Sequence, residues 1–268
     1  MTTADTNGPF AGGRYHPAVA GFDTTADVYE RSRPEYPAEA VATLVAECRI
    51  APGRTVLDLA AGTGKLTRLL VPSGAELVAI EPLAGMRAEF TKRLPGVQLL
   101  DGTAEAIPLD DASVDAVLVA QAFHWFDPDA ALREIHRILR PGGSIGLVWN
   151  VRDESVSWVA GLTELIDEFR GGTPSRRTER WRAGFERSAL FSPLRTWSFP
   201  YEHRLTPDGL IDRVHSISFI ATLPENERAG LDERVRELLA SGPNADGAET
   251  FALPYRTDVY AADRADVS

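Results

Sequence analysis

The segment Val56-Leu57-Asp58-Leu59-Ala60-Ala61-Gly62-Thr63-Gly64-Lys65-Leu66 holds the residues best spaced for chemistry. A β-rich apolar run ends in an acid, a small Gly-containing turn follows, and a helical stripe begins. In an open α/β sheet, ligands bind at the carboxyl end of such a strand. Gly62 and Gly64 let the backbone turn sharply and approach a ligand closely. A phosphate-binding loop of the form G-x-x-x-x-G-K-[ST] is excluded, because Leu59 stands at its first glycine and Leu66 at its hydroxyl residue. A dinucleotide loop of the form G-x-G-x-x-G lacks its third glycine, where Thr67 stands. Asp58 would also set a carboxylate against a pyrophosphate. A cationic ligand without phosphate is the class that an acid at this place favours.

The elements that must position this turn alternate regularly. Thr55–Leu59, Ala75–Ile80, Val97–Leu100, Val114–Ala120 and Ser144–Trp149 read as strands. Leu66/Leu69/Leu70, Leu83/Met86/Phe90 and Leu132/Ile135/Leu139 form helical stripes between them. Strands alternating with helices imply a parallel sheet with right-handed crossovers. Before it, residues 24–32 read as a short helix, and a second helix opens at Pro37. After residue 150 the alternation stops. Trp158–Phe169 looks helical, Arg195–His203 and Phe251–Val259 look like strands, and two helices lie between those strands, one opening at Thr206-Pro207-Asp208.

The motif resembles motif I of class I S-adenosylmethionine-dependent methyltransferases, with Ala60 in place of the first glycine of Asp/Glu-x-Gly-x-Gly-x-Gly. Glu81, 17 residues after Gly64, resembles the acid that binds the ribose hydroxyls; a carboxylate can accept two hydrogen bonds from a cis-diol. Asp101–Glu105 stands where the family holds adenine, and Gln121–Asp127 where it borders methionine and substrate. Leu139-Arg140-Pro141-Gly142-Gly143 resembles the turn before the fifth strand. The resemblance spans roughly residues 25–150 and is nearest to the small-molecule branch with ubiquinone/menaquinone- and trans-aconitate-type enzymes. It implies a Rossmann-like, seven-stranded, mostly parallel sheet with helices on both faces and a helical cover. It also implies S-adenosylmethionine as cofactor, held by Tyr29, Arg33, Asp58, Ala60, Gly62, Gly64, Glu81, Pro82, Met86, Thr103, Ala104 and Gln121.

On the reactive side, His124, Trp125 and Phe126 are expected to form the substrate pocket, for an uncharged or aromatic acceptor. His124 is also the candidate base, with a pocket role favoured. Tyr29, Arg31, Arg33 and Tyr36 lie in an arm expected to close over the cofactor, with Arg33 matched to a carboxylate. Arg176, Arg177, Arg180, Arg182 and Arg187 read as a solvated helix face paired with Glu179 and Glu186, or alternatively as a contact for an anionic substrate. His16, His124, His136, His203 and His215 show no H-E-x-x-H spacing, so no metal is expected.

Composition bounds the rest. The chain has 268 residues, 28 basic and 39 acidic groups and a net charge of −11. Neither half has a basic excess, which argues against nucleic acid as a partner. Cys48, the single cysteine, is expected to be a core residue. No transmembrane run or secretory signal is read, so the expected setting is cytoplasmic, as a monomer or homodimer. The expected organisation is an N-terminal tail and lid arm over 1–36, a cofactor-binding core over 37–150, and sheet completion with covering helices over 151–268. Two other functions stay open: binding the cofactor without transfer, and non-methylating chemistry driven by its charge.

Overall fold

The computed structural model describes residues 26–266, so the first 25 residues of the tail and lid arm expected over 1–36 lie outside them. Seven strands form one sheet in the order β3-β2-β1-β4-β5-β7-β6. Their ranges are β1 Thr55–Leu59, β2 Glu76–Ile80, β3 Gln98–Leu100, β4 Val114–Ala120, β5 Leu139–Arg152, β6 Arg195–Leu205 and β7 Phe251–Asp263. The pairs among β1 to β5 are parallel. The strand β7 runs antiparallel between β5 and β6. This is the expected seven-stranded, mostly parallel sheet.

Burial explains the strand choices. The apolar runs of β1 and β4 are covered on both faces, as a central parallel strand requires. On one face pack Leu132, Ile135 and Ile138 of the helix Pro128–Ile138, with Trp181 and Phe185. That helix starts cleanly because Asp127 Oδ1 accepts from the Asp129 and Ala130 N–H groups at 3.0 Å. On the other face pack Leu44, Cys48, Leu66 and Leu70. Cys48 is a core residue as expected, and burial pushes its thiol up to about 12. The edge strand β6 alternates half-buried and exposed positions and carries Pro200, which an edge tolerates.

The strand β5 begins earlier than its apolar run. Val114 pairs with Leu139, but Ala116 pairs with Ser144, so Arg140–Gly143 bulge out of register. Gly142, with φ +74°, allows that bulge. A third core lies beyond the carboxyl ends of the strands. It joins Val159, Leu162 and Ile166 of the helix Ser157–Asp167, Leu210 and Val214 of the helix Pro207–His215, and Leu231, Val235 and Leu239 of the helix Glu225–Ala240. These helices form the cover over the ligand edge of the sheet. Among the described residues, no helix is long and apolar enough to cross a membrane.

Candidate active site at the strand carboxyl ends

Three adjoining recesses open where β1 and β4 end. The first, a cleft of about 720 Å³, is bounded by Ala60 and Gly62 after β1, Glu81, Pro82, Leu83 and Met86 after β2, Gly102 to Ala104 after β3, and Ala120, Gln121 and Ala122 at the end of β4. The second is a smaller inner pocket beneath the arm, bounded by Arg33, Tyr36, Gly62, Thr63, Gln121 and Asn150 among others. The third is an outer cavity of about 960 Å³ between the sheet and the covering helices. Tyr29 and Gln121 line all three.

Glu81 is the polar anchor of the cleft. It is 4% exposed, yet it lines the wall. The Gly62 N–H donates to Oε2 and the Leu83 N–H to Oε1, both at 2.9 Å. Each oxygen keeps a further acceptor position. Burial pushes the carboxyl up to about 7 against the pull of those two bonds. Pro82, Leu83 and Met86 supply an apolar wall beside it, and Thr103 and Ala104 close the far side. At Gly62, φ is +60° and an added Cβ would meet nothing within 4 Å, so backbone is open to a ligand there. Ala60 and Gln121 also take positive φ, +58° and +60°. Both end central strands, and each holds roughly 1–2 kcal/mol of left-handed strain where the recesses meet.

Two sequence-derived positions fall outside the recesses. Asp58 is 2% exposed and lies behind the turn, where its Oδ2 accepts from Thr67 Oγ1 at 2.5 Å. Its Oδ1 is buried without a partner among the described residues, and burial pushes the carboxyl up to about 7. Gly64 is a packing glycine: its φ is +86°, and a Cβ would come within 2.6 Å of Leu94 and 3.0 Å of Phe90.

The arm is fastened to the turn. Thr63 Oγ1 donates to Glu30, and Arg68 Nη1 donates to the other Glu30 oxygen at 2.7 Å. Lys65 Nζ, at 3.2 Å, and Arg68 Nη2 both donate to Glu35. Arg33 reaches the covering helices and stacks over Tyr29, 4.7 Å from its ring centre.

His124 and Trp125 line the outer cavity, whereas Phe126 lines the cleft and not that cavity. Burial, Arg170, Arg176 and Arg33 lower the His124 imidazole to about 3, so it is neutral and weakly basic. Its Nδ1 is buried without a partner among the described residues. Sequence reasoning missed the six arginines of the outer cavity as a group. It also missed Leu59 and Ala120 in the cleft. Among the described residues, no three His, Cys, Asp or Glu side chains gather as a metal set.

Residues 57–147 match the methyltransferase domain family. Over 239 residues the chain is 46% identical to an uncharacterized methyltransferase of Mycobacterium tuberculosis, covering 88% of this chain and 92% of that one. It is 35% identical over 244 residues to an uncharacterized methyltransferase-like protein of Schizosaccharomyces pombe, covering 91% and 95%. Its fold is shared with a putative methyltransferase from an antibiotic biosynthesis pathway of Anabaena variabilis, at a TM-score of 0.64 and 20% identity, over 85% of this chain and 98% of that one.

Proposed function

The chain belongs to the class I S-adenosylmethionine-dependent methyltransferases, and from that premise we propose how its recesses divide the work. The cleft takes the adenosine, the inner pocket takes the methionine end, and the outer cavity takes a small-molecule acceptor. The observation that carries this reading is Glu81, whose oxygens are oriented by Gly62 and Leu83 and keep acceptor positions toward the cleft.

The residues present fit the cofactor. The open backbone at Gly62 accommodates close approach, the Glu81 carboxylate suits a ribose diol, and Pro82, Leu83 and Met86 suit a flat base. Arg33, at the boundary of the inner pocket, suits the methionine carboxylate. When bound, the cofactor supplies a methyl group made electrophilic by its sulfonium. Gln121 and Tyr29, common to all three recesses, orient the two reactants toward each other. The latched arm and Trp125 keep water from the junction. Asp58 acts at one remove, stiffening the turn through Thr67.

In this reading residues 1–36 comprise the tail and arm, 37–150 the cofactor core, and 151–268 the sheet completion and acceptor cover. Calorimetric titration with S-adenosylhomocysteine, NAD and ATP tests it. Binding of the first alone is expected. Binding of NAD or ATP without S-adenosylhomocysteine would defeat it.

A further inference from the structure

Six guanidiniums face the outer cavity: Arg33, Arg152, Arg170, Arg176, Arg177 and Arg213. Three form ion pairs within the protein. Asp167 pairs with Arg170, Asp258 with Arg176, and Glu154 with Arg177. Glu154 is also the one carboxylate among the described residues that line the cavity.

Arg33, Arg152 and Arg213 form no ion pair among the described residues and hydrogen-bond only to neutral groups, with the Asp167 carboxylate acting on Arg152 from farther off. Arg33 donates through Nε to Ser216 Oγ at 3.0 Å and through Nη2 to the Ser216 carbonyl at 2.7 Å. Arg213 donates through Nη1 to the same Oγ at 3.4 Å and through Nε to the Tyr255 hydroxyl at 3.1 Å. Arg152 donates through Nε to Thr163 Oγ1 at 2.9 Å. Burial, with Arg213 beside both, lowers Arg33 to about 9 and Arg152 to about 10. Arg213 is itself 8% exposed.

Cations taken from water without a counter-charge are costly, and a cluster of them repels itself. The cofactor does not relieve this. Its sulfonium and ammonium outweigh its one carboxylate, so it adds a net positive charge to the same region. Its carboxylate can neutralise one guanidinium, and Arg33 and Arg213 both border the inner pocket where that group would lie. With Arg33 taking it, Arg152 and Arg213 are left over, and Arg152 lines the outer cavity without lining the cleft or the inner pocket.

We propose that the acceptor is a small anion whose carboxylate or phosphate oxygens are held by Arg152 and Arg213, with Trp125 and Phe219 covering its apolar part. The proposal rests on reading the outer cavity as the acceptor site, and it replaces the uncharged acceptor expected from the aromatic residues alone. A guanidinium fork matches either oxyanion, so the two sources share one recognition chemistry.

The test has two stages. S-adenosylhomocysteine is first titrated into the wild-type protein; failure at that stage counts against the cofactor reading and not against the anion site. Inorganic phosphate, succinate and, at matched ionic strength, sodium chloride are then titrated into the protein at saturating S-adenosylhomocysteine, or into the protein alone if none binds. Tryptophan fluorescence reports binding, since Trp125 and Trp149 line the cavity.

Saturable binding of phosphate or succinate is expected, and the better probe identifies the source. Arg152→Gln should weaken it at least about tenfold while S-adenosylhomocysteine affinity stays within about twofold. The melting temperature of Arg152→Gln, without added anion, should equal or exceed that of wild type, because a half-buried charge crowded by Arg213 and Arg177 has been removed. A residue with a purely structural role would lower it. Arg152→Lys, which keeps the charge and loses the fork, should bind the probe with intermediate affinity, and it serves if the glutamine variant does not fold. No saturable binding to wild type, equal response to chloride, or undiminished binding in both variants would overturn the proposal.

Discussion

The Gly62 N–H donates to Glu81 Oε2 at 2.9 Å, which ties the turn after β1 to the acid that ends β2. The Leu83 N–H holds the other oxygen at the same distance. Glu81 is therefore both a wall of the cleft and a brace of its shape. Glu81→Gln should weaken S-adenosylhomocysteine binding by ~1.5–3 kcal/mol, the range for hydrogen bonds to a charged group. Glu81→Ala should lose at least as much affinity and also lower the melting temperature, because two buried N–H groups lose their acceptor. Unchanged affinity in both variants would remove Glu81 from the site.

The two buried acids also set a pH dependence. Glu81 and Asp58 titrate at about 7 in the folded protein, against ordinary values of 4.5 and 3.8. The folded state thus binds more protons than the unfolded state between those limits. Stability contributed by these groups is full below about pH 4 and is lost as pH rises through about 7. Denaturant melts of cofactor-free protein at pH 5 and pH 8 should show a smaller difference in Glu81→Gln than in wild type. An equal difference would show that Glu81 is ionised throughout.

The two motif glycines should separate experimentally. Gly62→Ala adds a methyl into open space at the cleft, so its cost should appear in cofactor affinity, with about 1–2 kcal/mol of backbone strain besides. Gly64→Ala drives a methyl against Leu94 and Phe90 at positive φ, so its cost should appear in stability, about 2–4 kcal/mol from overpacking and strain together. Paired calorimetry and melting of the two variants decide the matter. A stability loss confined to Gly62→Ala would reverse the assignment.

What the sequence made legible follows from how local each signal is. The strand-turn-helix unit at Asp58–Leu66 is contiguous, so its motif and place could be read directly. Glu81 was readable because it ends β2 at the distance from the turn where the family resemblance places its ribose-binding acid. Asp58 and Gly64 were harder, because a motif shows that a residue belongs to the turn but not which side of the turn it faces. The cationic cavity was illegible as a unit. Arg33, Arg152, Arg170 and Arg213 come from four segments that meet only when the cover folds over β5. Arginine is also abundant, since all but two of the 28 basic residues are Arg, so no single one stands out. One signal was available. Arg213 follows Leu210 by three positions, which places a charge on the buried stripe of the helix Pro207–His215.

The arm is held shut by the protein itself. Burial would raise the Glu30 carboxyl, but the bonds from Thr63 and Arg68 outweigh it and hold it below the ordinary value of 4.5. A carboxyl lowered on folding contributes stability above its unfolded value, and that contribution is lost as pH falls through the folded one. Residues 26–36 should therefore be protected from hydrogen exchange near neutral pH even without cofactor. Glu30→Gln should raise their exchange while leaving β1 and β4 protected. Fast exchange of the arm in the free wild-type protein, slowed only on adding S-adenosylhomocysteine, would mean that the cofactor and not the latch closes it.

The last prediction concerns His124. Its imidazole lies on the outer cavity, where burial lowers it and the charges of Arg170, Arg176 and Arg33 add to that effect. A histidine lowered to about 3 is neutral through the physiological range, so it makes a poor general base there. The neutral ring still walls the cavity beside an acceptor, and its Nδ1 has no partner among the described residues. His124→Ala should therefore raise the KM for the acceptor more than it lowers kcat, with S-adenosylhomocysteine affinity nearly kept. The ring's carbon-bound proton signals should show no titration between pH 5 and 8 in the cofactor-bound protein. Binding of an anion at Arg152 and Arg213 would offset part of the surrounding positive charge, so succinate or phosphate should move the His124 midpoint upward. A midpoint near 6.5 without anion, together with a ~10²-fold or greater fall in kcat for His124→Ala, would restore the base role.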